Sequence, residues 1–89
     1  MPAPEITMYT SGWCPFCARA RALLESKGLR WNEIDVEAEP GRRAEMIARS
    51  GRRTVPQIFI GDRHVGGSDE LRELDQRGEL DWLPERANS

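Results

Sequence analysis

The spacing of apolar positions changes period along the chain, and the changes mark the elements. Glu5 to Thr10 (Glu-Ile-Thr-Met-Tyr-Thr) has the β-branched and aromatic content of a strand. From Pro15 to Lys27, Cys17, Ala20, Leu23 and Leu24 recur at helical spacing, with Arg19 and Arg21 on other faces. Gly28 suits the left-handed position just past a helix end. Leu29 to Val36 reads as a second strand, with Asn32, Ile34 and Val36 on one face and Trp31, Glu33 and Asp35 on the other. Arg42 to Ser50 reads as a short helix with Met46 and Ile47 inward, ended by Gly51. Gln57 to Ile60 and Arg63 to Gly66 read as strands joined by a Gly61-Asp62 hairpin turn. A last helix starts at Ser68-Asp69-Glu70, with Ser68 as its cap and acids in its first turn, and runs to about Gln76 before Gly78 breaks it. Leu80, Trp82 and Leu83 predict a short C-terminal helix against the core.

The order is β-α-β-α-β-β-α. A β-α-β crossover joins parallel strands, and the hairpin makes the second half antiparallel. The expected fold is therefore α/β, a four-stranded mixed sheet flanked by helices. No repeat, low-complexity tract or linker divides the chain, so residues 1–89 read as one domain with a core over about 5–83.

Composition narrows the function classes. The net charge is −2, against the basic balance of a nucleic-acid module. Of thirteen basic residues only Lys27 is a lysine, a bias that suits bidentate recognition of carboxylates. Most of the arginines, Arg42, Arg43 and Arg52 among them, read as solvated surface. No apolar run approaches a membrane span, and Met1-Pro2-Ala3-Pro4-Glu5 lacks the basic flank and apolar run of a signal peptide. The expected location is the cytoplasm, where a cysteine pair is catalytic or metal-binding more often than a structural staple.

The two cysteines, Cys14 and Cys17, bracket Pro15 and Phe16 where the first helix opens. Cys14 falls at the N-cap and Pro15 at the first helical position, where a missing N–H costs nothing. Cys17 lies one turn on, within bridging reach of Cys14. The helix N-terminus favours a thiolate, which makes Cys14 the expected nucleophile and Cys17 the resolving thiol. Cys14, Cys17 and His64 are the only thiols and imidazole in the chain, short of the four ligands of a structural zinc site. No metal is expected, and His64 reads as an ordinary strand residue. Trp13 either touches a substrate or packs over its own turn.

With Cys14-Pro15-Phe16-Cys17, Thr54-Val55-Pro56 and Gly66-Gly67-Ser68-Asp69 in this order, the chain resembles the glutaredoxins of the thioredoxin-like fold, most closely the small bacterial dithiol members. The resemblance covers roughly residues 5–83. It implies a cis-proline at Pro56 and a glutathione site with no tightly bound cofactor. Glutathione would be the co-substrate, contacting Cys14, Pro15, Phe16, Arg53, Thr54, Val55, Pro56, Gly67, Ser68 and Asp69, with Pro56, Gly66 and Gly67 shaping the backbone. Its cysteinyl unit would pair with the Val55 backbone and its γ-glutamyl carboxylate with the Ser68 and Asp69 amides. Asp69 would take the ammonium and Arg53 the glycyl carboxylate. Many members carry a Lys where this chain has Ser11, which shifts more of the carboxylate role to Arg53. Close relatives often have a further Cys at the position of Ser68.

The implied activity is glutathione-dependent reduction of protein disulfides and of glutathionylated proteins, with glutathione reductase acting indirectly and the protein a monomer. Two alternatives share the fold. One is an iron–sulfur carrier, a dimer bridged through Cys14 and glutathione. The other is a redoxin served by thioredoxin reductase or another low-molecular-weight thiol.

Overall fold

The computed structural model describes residues 4–81. The elements are β1 (Ile6–Thr10), α1 (Pro15–Ser26), β2 (Asn32–Asp35), α2 (Arg42–Ser50), β3 (Gln57–Ile60), β4 (Arg63–Gly66) and α3 (Ser68–Gln76). They form one four-stranded sheet in the order β2-β1-β3-β4. β1 runs parallel to β2 and antiparallel to β3, and β3 runs antiparallel to β4. The mixed sheet and element order are those expected from the sequence.

Alternation along the strands assigns a core to each face of the sheet. Ile6, Met8, Ile58 and Ile60 pack with Ala20 and Leu24 of α1, Leu71 and Leu74 of α3, Leu29 and Leu80. Tyr9 and Phe59 face the other way and pack with Val36 and with Met46 of α2, with Ile34, Ile47 and Val55 at the margin. Removing a Leu or Ile side chain from water in this way stabilises the fold by about 1.5–3 kcal/mol each.

Two elements differ from the sequence reading. β2 is half the expected length. Its ladder with β1 is confined to Asn32–Asp35 opposite Thr7–Thr10; Leu29 and Arg30 lie past the start of β1 at Ile6, Trp31 opposite Ile6 does not extend the ladder, and the three serve as the approach from α1. Trp31 still packs at the edge of the aliphatic core, and its indole N–H donates to Glu33 at 3.0 Å. Ser68 is not the cap of α3. It is the first helical residue, and Gly67 occupies the cap in an extended conformation. The cap amide is instead satisfied from inside the helix, where Glu70 Oε1 accepts from Gly67 N–H at 2.7 Å. Gly66 is required for this. Its φ is +121°, and a Cβ there would meet the Glu70 carboxylate at 2.9 Å. Toward the C-terminus Leu80 is buried in a run of turns over 77–81. Trp82 and Leu83, and with them the predicted C-terminal helix, lie outside the described residues.

Candidate active site

The first turn of α1 sets the two cysteines apart from each other. Cys14 is the N-cap, extended at φ −152° and ψ 110°, with Pro15 at the first helical position. Cys17 N–H donates to Cys14 Sγ at 3.2 Å, so the sulfur takes the role a serine or aspartate oxygen has at an ordinary cap. Both thiols are free. Cys14 is half-buried and reachable, whereas Cys17 is fully buried. Burial first, and then the hydrogen bond with Cys14, push the Cys17 thiol up to about 12. At neutral pH Cys17 is therefore held as the protonated thiol.

Across from Cys14 lies the loop that leads into β3. The Cys14 thiol donates to Val55 O at 3.8 Å, and the Val55–Pro56 peptide is cis. Beside this contact opens a groove of about 440 Å³. Phe16 borders it from α1, Arg53 to Pro56 form one wall, and Gly67 to Asp69 form another at the start of α3. These are eight of the expected ligand residues, brought together by three segments distant in sequence. Cys14 stands at the edge through its contact with Val55, and Pro15 points to solvent on the outer side of the turn.

The groove is charged at both ends. The Ser68 and Asp69 amides open α3 and have no backbone or side-chain acceptor among the described residues, which is the usual state of a helix N-terminus and suits it to an anion. The Asp69 carboxylate is exposed beside them, 3.4 Å from Arg72. At the other end the exposed guanidinium of Arg53 has no ion-pair partner among the described residues.

Three further groups line the groove that the sequence reading did not place there. Arg52, expected to be solvated, borders it and lies 3.6 Å from Glu70. Glu70 itself reaches the groove because it folds back to the Gly67 amide, whose hydrogen bond, ahead of Arg52, holds the carboxyl below the usual range. A capping signal was present in the sequence, a Glu three positions after Gly67. Gln57 is the third. It is fully buried and donates to the Thr54 carbonyl and hydroxyl. Trp13 is 87% exposed, so it does not pack over its own turn. Arg19 stacks on Phe16 at 5.3 Å.

A disulfide-exchange centre needs an accessible sulfur, a second thiol within reach and a place for the substrate, and these three are present together. The family model for glutaredoxin matches residues 6–65. Glutaredoxin 3 of Escherichia coli K12 is 53% identical over 79 residues, covering 89% of this chain and 95% of that protein. The solution structure of glutaredoxin from Brucella melitensis is 54% identical with a TM-score of 0.77, covering 91% of this chain and 88% of that one. The crystal structure of a buckwheat glutaredoxin–glutathione complex is 27% identical with a TM-score of 0.83, covering 96% and 80%.

Proposed function

Because this chain belongs to the glutaredoxin family of thiol–disulfide oxidoreductases, we propose that its reductant is glutathione and its substrates are glutathionylated proteins and protein disulfides. The observation that carries this reading is the contact of Cys14 Sγ with Val55 O at the rim of a groove each of whose ends suits a carboxylate. Glutathione has carboxylates at both ends and an ammonium beside one of them. In the groove, Arg53 would take the glycyl carboxylate, the Ser68 and Asp69 amides the γ-glutamyl carboxylate, and the Asp69 side chain the ammonium. The Val55 backbone would pair with the cysteinyl unit and bring its sulfur to Cys14. The buckwheat complex, which contains glutathione on the same fold, supports the assignment.

In the reaction, the Cys14 thiolate attacks the glutathione sulfur of a protein–glutathione disulfide. The target leaves as a thiolate and takes a proton from water. A second glutathione thiolate attacks the glutathionyl sulfur on Cys14, releasing oxidised glutathione and restoring the Cys14 thiolate. Glutathione reductase would return the oxidised product to glutathione. On a protein disulfide, Cys14 forms a mixed disulfide and Cys17 displaces the target, closing a Cys14–Cys17 disulfide that glutathione then reduces. The protonated state of Cys17 keeps it from competing for the first attack, and in the second step its proton passes to the departing target thiolate as its sulfur bonds to Cys14. The cytoplasm, with its glutathione pool, is the setting this chemistry needs.

Separate Cys14→Ser and Cys17→Ser variants test the reading on a glutathionylated peptide, with glutathione and glutathione reductase supplying electrons. Turnover should vanish in the first and persist in the second. Equal loss in both would reject the one-thiol route, and turnover with thioredoxin reductase but not with glutathione would reject glutathione as the reductant.

A further inference from the structure

Gln57 directs both of its amide N–H groups at the loop that faces Cys14. Its Nε2 donates to Thr54 O at 3.0 Å and to Thr54 Oγ1 at 3.2 Å. Its Oε1 lies 2.7 Å from His64 Nε2. With the amide nitrogen turned to Thr54, the oxygen must accept from His64, so His64 carries its proton on Nε2. The two-residue Gly61-Asp62 turn makes this meeting possible. It sets Ile60 opposite Arg63 and Phe59 opposite His64, so His64 lies on the face of the sheet that Gln57 and Phe59 occupy; the ladder shifts only beyond that pair, where Ile58 is opposite Gly66 and Val65 is an extra residue. The His64 ring is fixed there against Phe59, 4.9 Å between centroids, and the Arg49 guanidinium lies 4.1 Å from the same Phe59 ring.

A fully buried amide is costly unless its hydrogen bonds are made. An apolar side chain of similar length would pack against Tyr9 and Phe59 without that cost. What the glutamine adds is a tether on Thr54, an exposed residue whose neighbours Arg52 and Arg53 are exposed as well. We propose that Gln57 is a positioning residue for disulfide exchange: through Thr54 it sets where the Val55 backbone lies relative to Cys14, and His64 holds the Gln57 amide in its donating orientation. This rests on the reading that the Val55 backbone receives the cysteinyl unit of glutathione.

The test compares Gln57→Met, which keeps the length and removes the polar group, with His64→Phe, which keeps a ring against Phe59 and removes the donor. KM for a glutathionylated peptide should rise about tenfold in Gln57→Met, the effect of losing one well-placed buried hydrogen-bonding group, while kcat stays within about twofold. Alkylation of Cys14 by iodoacetamide, which does not use the groove, should be unchanged. The double variant should be no worse than Gln57→Met alone, because both substitutions break one chain of contacts. An unmoved KM in folded variants would overturn the inference, as would losses in alkylation and turnover that simply follow a fall in Tm. If Gln57→Met does not fold, His64→Phe decides by the same measures. A wild-type protein with no glutathione-dependent turnover would reject the proposed reductant and this inference together, whereas an active wild type with unmoved variants would reject the inference alone.

Discussion

The two faces of the sheet are built differently. The face under α1 and α3 is aliphatic, with Ile6, Met8, Leu24, Ile58, Leu71 and Leu80 packed on one another. The face under α2 is threaded with polar groups. Tyr9 is fully buried, yet its hydroxyl donates to Glu45 at 2.5 Å and accepts from Arg49 at 2.8 Å. Phe59 carries Arg49 and His64 against its ring, and Gln57 links His64 to the loop opposite Cys14. Apolar packing is non-directional and tolerates small shifts, whereas a hydrogen bond fixes a direction and is lost when an atom moves by an ångström. The aliphatic face therefore holds the fold together, and on the proposal above the polar face sets where the loop beside Cys14 sits.

The sharpest way to break this contrast is a cavity in the aliphatic face. Leu24 is fully buried in the α1 core, and Leu24→Ala should cost about 3 kcal/mol in urea denaturation. KM for a glutathionylated peptide should stay near the wild-type value at temperatures where the variant is folded. A KM that rises as it does in Gln57→Met would show that the two faces do not divide the work.

A smaller effect is expected on the other side. Tyr9→Phe keeps the ring against Phe59, 5.9 Å between centroids and nearly perpendicular, and deletes only the hydroxyl. Glu45 and Arg49 both reach solvent and can rehydrate, so the loss should be about 1 kcal/mol, that of one net hydrogen bond. Urea denaturation of Tyr9→Phe beside Leu24→Ala checks the ratio. A cost above that of the Leu24 cavity would mean that the polar face carries stability as well as direction.

The same division explains what was legible in the sequence. α2, β3 and β4 start and stop where the residue pattern says, because Gly51 at φ +73° and the Gly61 turn punctuate them locally. The sheet order followed from the crossover and hairpin rules, which act through aliphatic periodicity. The length of β2 depends on where its partner ends, and that is not local. Cys14 and Cys17 could be told apart from their places on one helical turn. Arg52, Glu70 and Gln57 could not be placed at the groove, because each arrives through a hydrogen bond or ion pair with a residue on another segment or across a helix start. The face that Gln57 shares with His64 follows from the Gly61-Asp62 turn, but the hydrogen bond between their side chains is announced by no spacing rule.

The finest test of the contrast is acid titration of stability, since only the polar face holds a histidine. Burial first, and then Arg52, keep the His64 imidazole below its ordinary value, with Glu70 opposing them in part. In the unfolded chain His64 takes a proton as pH falls through about 6.5. Below that pH the unfolded state binds more protons than the folded one, so stability declines as pH is lowered until folded His64 is itself protonated. The carboxylates act later. Glu33, held low first by Arg21, Glu45 by the Tyr9 hydroxyl and Glu70 by the Gly67 amide, keep their contribution above the unfolded carboxylate value and lose it as pH falls through their folded ones. Urea midpoints measured from pH 7.5 downward, at about half-unit steps, should show two separate declines. His64→Phe should flatten the upper decline and leave the lower one in place. If the upper decline survives in His64→Phe, the imidazole is as easily protonated in the fold as outside it, and the face that directs the loop is open to water at the point where Gln57 meets His64.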